Sequence, residues 1–193
     1  MTIRPKNALL DTQFRDTYSC LSLFEGMFSA TETDSEAELT TEQTVTHERW
    51  MREALRVARD ARSAGEVPVG TCVVDGDQLL AAAGNRTRTD CDPTAHAEIV
   101  SLREASRKAG NYRLANATVY STIEPCAMCA GALIQARVKL LVYGATDEKA
   151  GAVESHFHIC AAHQLNHRIK VIKGVLEPEC RELMQEFFKE RRC

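Results

Sequence analysis

Two short segments constrain the fold and the chemistry of this 193-residue chain more than any other feature of its sequence. The first is His96-Ala97-Glu98, and the second is Pro125-Cys126-Ala127-Met128-Cys129, whose first cysteine follows His96 by 30 residues. The proline predicts a helix start, where side chains three residues apart lie on one face and can share one ion. Any fold that uses both segments must therefore bring them to one point.

The two segments supply a ligand set typical of catalytic zinc. Such zinc has three protein ligands and an open position for water, and His96, Cys126 and Cys129 offer one nitrogen and two sulfur atoms. The positive end of the helix dipole favours the thiolate form that binds metals. Zinc lowers the pKa of a bound water to about 7, and Glu98 is close enough in sequence to move the protons. The joint pattern matches the signature of zinc-dependent base deaminases and predicts hydrolytic deamination with one Zn²⁺ per subunit.

The cysteine pair by itself allows two other interpretations. A C-x-x-C pair is often half of a structural zinc site or a redox pair. A structural site would need a fourth protein ligand, and the sequence offers five candidates: Cys91, His156, His158, His163 and His167. The compound pattern favours catalytic zinc over both interpretations.

Composition narrows the cellular setting. The eight cysteines occur without a signal peptide in residues 1–28, which predicts a reducing, cytoplasmic location rather than a disulfide framework. No apolar run approaches the ~20 residues of a membrane span. Residues 1–46 carry 8 acidic and 3 basic side chains, whereas the remainder carries 19 acidic and 21 basic ones. The mildly basic remainder is compatible with a polyanionic partner.

The chain divides into an extension and a folded domain. Residues 29–46 contain five acids, no bases and many Ser and Thr residues, which predicts a disordered, acidic linker within an N-terminal extension of residues 1–46. Residues 47–193 are predicted to form the deaminase domain. A hairpin followed by alternating helices and strands predicts a mixed sheet with helices on both sides. The predicted helices are 47–64, 94–109, 126–136 and 178–191, and the predicted strands are 71–74, 78–84, 117–122, 138–143 and 169–176.

Longer runs around the two segments resemble the bacterial tRNA-specific adenosine deaminases. These runs are Asp92 to Ile99, Asn111 to Leu114 and Glu124 to Ala132, with shorter matches at Glu66 to Gly70, at Tyr143 to Ala145 with Asp147 and Lys149, and at Asn166 to Arg168. The resemblance covers residues 47–192. It implies a cytidine deaminase-like, three-layer α/β/α sandwich with a five-stranded mixed sheet, and a homodimer. It also implies conversion of the wobble adenosine in an arginine tRNA anticodon to inosine by a zinc-bound hydroxide.

The resemblance assigns a role to individual residues. The zinc ligands of the family fall on His96, Cys126 and Cys129, and the proton shuttle falls on Glu98. Five further positions match residues that contact the substrate in the family. They are Asn85 for the flipped base, Asp147 for the substrate backbone, Lys149 for a phosphate, and Arg191 and Arg192 for the tRNA stem.

Each substrate contact also has a structural interpretation. Asn85 could hold residues 85–93 through hydrogen bonds within that loop. Asp147 could cap a turn. Arg191 and Arg192 could form a solvated helix end that suits the helix dipole.

Two other functions compete with tRNA deamination. A small-molecule deaminase of the guanine or cytosine type, or one acting on a nucleoside, would share the zinc site but lack the run 111–114 together with Asp147 and Lys149. A non-catalytic RNA-binding subunit would keep zinc for structure. Such subunits commonly lose the shuttle glutamate, which is present here as Glu98.

Overall fold

The structure is a computed structural model that describes residues 39–191. The predictions for residues 1–38 of the extension, and for Arg192, lie outside the described residues. Four α-helices, five strands and one 3₁₀ turn follow one another along the described part of the chain. They are α1 Thr41–Ser63, β1 Gly70–Asp75, β2 Gln78–Gly84, α2 Ala97–Ala109, β3 Ala117–Ile123, α3 Ala127–Gln135, β4 Leu140–Ala145, the 3₁₀ turn Ile159–Ala161, β5 Lys170–Lys173 and α4 Glu177–Glu190.

The strands form one mixed sheet in the order β2-β1-β3-β4-β5. Strand β1 runs antiparallel to both β2 and β3, whereas β3, β4 and β5 run parallel to one another. Helix α3 forms the crossover between β3 and β4, whereas β4 and β5 are joined by a long segment that contains the 3₁₀ turn. The predicted five-stranded mixed sheet is confirmed. None of the described helices is long and apolar enough to cross a membrane.

Alternate residues of the central strands face opposite sides of the sheet. Val73, Val119 and Leu141 pack with residues of α2 and α3, including Leu102 and Leu133, in one buried cluster. Cys72, Tyr120 and Val142 pack with residues of α1 and α4, including Met51 and Leu183, in another. The sheet therefore lies between two helical layers, as the predicted three-layer sandwich requires.

Several helices and strands have first or last residues that differ from the predicted ones. Helix α1 begins at Thr41 rather than at residue 47, because Thr40 and Gln43 form a capping box ahead of the apolar period. Helix α2 begins at Ala97 rather than at residue 94, because Asp92 accepts hydrogen bonds from the amide and hydroxyl of Thr94 and holds that segment in a turn. Strand β5 covers only Lys170–Lys173 of the predicted 169–176.

Close packing of α1 on the sheet depends on Gly70. A Cβ atom at Gly70 would lie 2.0 Å from the carbonyl oxygen of Ala54 and 2.6 Å from the nitrogen of Ala58. The residue lacks that atom, so the helix backbone approaches the start of β1 directly. The backbone N–H of Gly70 also donates to the hydroxyl of Thr122 on β3.

Candidate active site

His96, Cys126 and Cys129 lie together at the start of two helices. His96 is the N-cap of α2 and Cys126 is the N-cap of α3, and Cys129 lies in the first turn of α3. The imidazole Nδ1 is 3.7 Å from the sulfur of Cys126 and 3.6 Å from the sulfur of Cys129. The ligand atoms of all three residues lie within 4.8 Å of one another. Strands β2 and β3 both run antiparallel to β1, so they end at the same edge of the sheet, and α2 and α3 begin there.

The three ligand atoms fit zinc. A tetrahedral ion with Zn–N near 2.0 Å and Zn–S near 2.3 Å separates its nitrogen and sulfur ligands by roughly 3.6 Å. The observed separations of 3.7 Å and 3.6 Å agree with that value. The donor atoms are one imidazole nitrogen and two cysteine sulfurs, which are types that zinc prefers. A tetrahedral ion held by these three would have a fourth position available to a small ligand.

Hydrogen bonding shifts the pKa values of the two cysteine thiols in opposite directions. Hydrogen bonding with Cys129 and His96 lowers the pKa of the Cys126 thiol to about 3. The hydrogen bond to Cys126, together with burial, raises the pKa of Cys129. These contacts favour one thiolate beside a neutral thiol, and metal binding releases the remaining proton.

Glu98 lies beside the three ligand residues on the first turn of α2. Its side chain is buried, with the Ser121 hydroxyl 3.3 Å from Oε1 and the Cys129 sulfur 3.5 Å from Oε2. Burial raises the pKa of the Glu98 carboxyl. A buried carboxyl with a raised pKa, two residues from the candidate ligand His96, is suited to accepting and returning a proton.

A cavity of about 580 Å³ opens onto these groups. His96, Glu98 and Cys126 contribute to its surface, as do residues from four other parts of the fold. Those parts are the segments before β1 and after β2 (Val67, Val69, Asn85 and Thr87), the end of β3 and the residue after it (Ile123 and Glu124), the end of β4 and the segment after it (Ala145 to Ala150), and one face of α4 (Arg181, Met184, Gln185 and Phe188). The volume suits a ligand the size of a nucleoside.

A buried carboxylate anchors the loop that follows β2. Glu66 accepts hydrogen bonds from the amides of Arg88 and Thr89 at 2.9 Å and 2.7 Å, and from the hydroxyls of Thr87 and Thr89. Burial alone would raise the pKa of Glu66, but the hydrogen bonds from Thr89, Arg88 and Thr87 outweigh it and leave the pKa lowered. The charged carboxylate therefore stabilises one wall of the cavity.

A second buried carboxylate, Glu124, anchors the loop that follows β4. Burial opposes its ionisation, but the hydroxyl of Ser155 and the amides of Glu154, Ser155 and Asp147 lower its pKa to about 2. Glu66 and Glu124 both fall in runs that resemble the deaminases, yet sequence reasoning assigned neither a role. Their partners lie more than 20 residues away along the chain, so no local pattern identifies them.

The structure brings three of the five predicted substrate contacts to the cavity. Asn85, Asp147 and Lys149 all line it. The backbone N–H of Asn85 donates to Val69 at 3.0 Å, and no described residue is seen to hydrogen-bond its side-chain amide. Asp147 also caps a turn, because its Oδ1 accepts from the amides of Lys149 and Ala150.

Arg191 lies elsewhere and makes structural contacts. Its guanidinium donates to the carbonyl oxygen of Gly65 at 2.7 Å and lies 4.1 Å from the ring centroid of Phe187. These contacts support the interpretation of Arg191 as part of a helix end. They occupy only part of the guanidinium's donor capacity.

The candidate fourth ligands lie apart from the three-residue cluster. Among the described residues, the only group of metal-binding side chains consists of His96, Cys126 and Cys129. Several of the candidates contact backbone carbonyls instead. Cys91 lies 3.6 Å from the oxygen of Arg88, His156 lies 2.7 Å from that of Glu148, and His167 lies 2.8 Å from that of Val138. The geometry thus favours a site with three protein ligands.

The sandwich fold, the His-Cys-Cys cluster and the adjacent buried glutamate define this chain as a deaminase of the cytidine deaminase-like class. A family model for MafB19-like deaminases matches residues 45–192. The tRNA-specific adenosine deaminase of Haemophilus influenzae is 46% identical over 146 residues, which cover 75% of this chain and 84% of that protein. The chain belongs to the tRNA-specific adenosine deaminase family, as its sequence predicted.

Solved structures agree with this assignment. One from a study of A-to-I editing by tRNA:A34 deaminases at the wobble position of transfer RNA matches with a TM-score of 0.68 and 43% identity, and the match covers 70% of this chain and 98% of that one. The guanine deaminase from Nitrosomonas europaea matches with a TM-score of 0.63 and 27% identity over 72% of this chain and 83% of that one. The fold is therefore shared by deaminases of different substrates.

Proposed function

We propose that this protein converts the wobble adenosine in the anticodon of an arginine tRNA to inosine, with one zinc ion per subunit. The observation that carries the proposal is that His96 and Cys126 of the ligand cluster, together with Glu98, line one cavity with Asn85, Asp147 and Lys149. The similarity to tRNA-specific adenosine deaminases supports adenosine in tRNA as the substrate. The proposal includes a cytoplasmic location, because tRNA is used there.

The cavity residues divide the chemistry among them. His96, Cys126 and Cys129 would hold zinc, which when bound supplies Lewis acidity that lowers the pKa of a water ligand. Glu98 takes a proton from the attacking water and returns protons to the adenine ring nitrogen and to the leaving ammonia. Ser121 orients the Glu98 carboxyl through its hydroxyl, and burial keeps bulk water away from it. The net reaction consumes one water and releases one ammonia.

Asn85, Asp147 and Lys149 bind the substrate in this proposal. The side-chain amide of Asn85 offers both a donor and an acceptor to the edge of a base that enters the cavity. Lys149 supplies a positive charge to a phosphate, and Asp147 accepts a hydrogen bond from the RNA backbone. Arg191, through the guanidinium donors that Gly65 does not use, and Arg192 are proposed to contact the tRNA stem.

Access to the cavity favours an unpaired nucleotide. Carbon 6 of adenine is shielded when the base lies within a helical stack, and the catalytic groups lie inside a cavity. An anticodon loop presents a base that leaves the stack at low cost. Contacts with phosphates then add affinity that decreases with salt concentration.

A substrate comparison tests the proposal against a small-molecule deaminase, which the likeness to a guanine deaminase keeps as the second candidate. The protein is incubated separately with arginine tRNA, adenosine, guanine and cytosine, and the release of ammonia is measured. We expect turnover with the tRNA alone, and sequencing of its anticodon should read the wobble adenosine as guanosine. Turnover of guanine without turnover of the tRNA would contradict the proposal. Tight tRNA binding without ammonia release would instead indicate an RNA-binding subunit.

We also propose that the protein is a homodimer. A shallow, largely apolar groove lies between α2 and α3 and includes Ile99, Leu102, Tyr112 and Ala132. The Tyr112 side chain is exposed at this groove, and burial of such surface in a second subunit would be favourable.

The deaminase domain is proposed to function without the N-terminal extension. Removal of residues 1–38 is expected to preserve the melting temperature and the tRNA deamination rate, since α1 and its cap lie beyond that segment. Removal of residues 1–45 also deletes the Thr40 capping box, which should cost about 1 kcal/mol of unfolding free energy. Thermal unfolding and deamination assays of both truncations measure these effects. An inactive or insoluble protein lacking only residues 1–38 would show that the extension belongs to the domain.

A further inference from the structure

Glu124 is a buried carboxylate that the proposed chemistry does not use. It is the first residue after β3 and directly precedes Pro125 and Cys126. The residue is only 2% exposed. Five hydrogen-bond donors surround it. All five belong to the segment 147–155: the amides of Asp147, Val153, Glu154 and Ser155, and the hydroxyl of Ser155.

The two carboxylate oxygens join the two ends of that segment. Oε1 accepts from the consecutive amides of Val153, Glu154 and Ser155 at 3.1, 2.8 and 2.9 Å. Oε2 accepts from the amide of Asp147 at 3.2 Å and from the Ser155 hydroxyl. One side chain thus closes a loop of nine residues, which we call the 147–155 loop.

The backbone of the 147–155 loop also lies directly against the cysteine segment. The amide of Ala152 donates to the carbonyl oxygen of Pro125 at 2.9 Å, and Gly151 forms an antiparallel bridge with Cys126. A Cβ atom at Gly151 would lie 2.4 Å from Oε2 of Glu124. The glycine therefore permits the loop backbone to approach the carboxylate and the metal-ligand segment together.

The 147–155 loop contributes Asp147 and Lys149 to the cavity, so its position sets where these side chains lie. Asp147 receives the contact from Glu124 through its own amide, and its side chain accepts from the amide of Lys149 at 2.9 Å. Both Asp147 and Lys149 line the cavity. A chain of hydrogen bonds therefore runs from the Glu124 carboxylate through Asp147 to the backbone amide of Lys149.

We infer that Glu124 is a positioning residue for RNA binding, which holds Asp147 and Lys149 at a set distance from the catalytic cysteines. The inference rests on the proposed function, because it takes RNA as the ligand of these two residues. A purely structural role would instead make Glu124 stabilise the fold without affecting how tightly RNA binds.

Glu124→Gln separates these roles. The amide oxygen of glutamine can accept the three amides at the Oε1 position. Its NH₂ group would then face the N–H of Asp147, and two donors cannot pair. We expect KM for arginine tRNA to rise about tenfold, with kcat within about twofold and zinc content unchanged.

A double-mutant cycle with Lys149→Ala tests the route of the effect. If Glu124 acts through the loop, Glu124→Gln raises KM much less in the Lys149→Ala background than in the native one. Glu66→Gln is the matched control, because Glu66 is an equally buried anchor of a different loop. Its effect on KM should be the same in both backgrounds. Equal effects of Glu124→Gln in both backgrounds, or a loss of kcat or zinc with KM unchanged, would overturn the inference.

Amide hydrogen exchange without RNA completes the test. The amide of Asp147 loses its acceptor in Glu124→Gln and should exchange faster than in the native protein. The amides of residues 153–155 keep the glutamine oxygen as acceptor and should change less. Glu66→Gln should leave all four amides unchanged. If Glu124→Gln does not fold, Ser155→Ala removes one donor to Oε2 and should raise KM in the same direction, by less. Failure of the native protein to deaminate tRNA would count against the proposed function, whereas unchanged exchange would count against the role of Glu124.

Discussion

Replacement of Glu98 by glutamine should lower kcat for tRNA deamination by at least the ~10²–10⁴-fold typical of a lost acid/base group. Glutamine preserves the size of the buried side chain, and its amide oxygen can still accept from the Ser121 hydroxyl. It cannot take up a proton from water at neutral pH. The melting temperature and the zinc content should therefore change little while turnover is lost.

The control for this prediction lies on the same helix. Glu104 is a partly exposed glutamate of α2 that does not line the cavity. Glu104→Gln makes the same chemical change and should leave kcat within about twofold, as expected for a surface substitution. Single-turnover assays of both variants, with zinc measured by atomic absorption, give the comparison. Undiminished turnover in Glu98→Gln would refute the role of Glu98 as proton shuttle.

Replacement of Cys126 by alanine should remove both zinc and activity. Three protein ligands hold the ion in the proposed site, so loss of one sulfur leaves two. Loss of a residue that only hydrogen-bonds a metal ligand lowers metal affinity ~10–100-fold, and loss of a ligand itself should lower the zinc affinity by more. Zinc content after dialysis should fall from about one ion per subunit towards zero. Chelation of the native protein should abolish deamination reversibly, and added zinc should restore it.

Cys91→Ser is the matched control for the metal site. Cys91 is an exposed cysteine outside the ligand cluster, and its sulfur contacts the carbonyl oxygen of Arg88. It should keep one zinc per subunit and full activity. Zinc retention in Cys126→Ala, or zinc loss in Cys91→Ser, would contradict the assigned ligand set and would favour the fourth-ligand interpretation that the sequence left open.

Helix boundaries show where local patterns mislead. The apolar period of α1 becomes regular only near residue 47, but the helix begins at Thr41 because a capping box and solvent-exposed turns extend it. Strand β5 is shorter than predicted, because its pairing with β4 ends at Lys173 and Gly174 follows with a positive φ of 82°. Apolar periodicity reports the buried face of a helix or strand, and the ends are decided by hydrogen bonds that it does not record.

The positions of the predicted substrate contacts also depend on tertiary contacts that a local sequence pattern does not record. Asn85, Asp147 and Lys149 line the cavity, whereas Arg191 contacts Gly65 and Phe187. A charge near the end of a helix carries no information on which neighbouring surface it meets. Met184 and Phe188 of α4 also line the cavity, and helical periodicity does not distinguish such a cavity wall from ordinary core.

The order of the hairpin, helices and strands predicted the mixed sheet, and the two segments His96-Ala97-Glu98 and Pro125-Cys126-Ala127-Met128-Cys129 determined the candidate ligand set and the candidate proton carrier. Their chemistry depends on side-chain type and on spacing at helix starts, and both are local properties of the sequence. Only the tertiary structure decided which loops surround those groups and what holds them. Glu66 and Glu124 bind amides more than 20 residues away, and such contacts arise only when the sheet brings distant segments together.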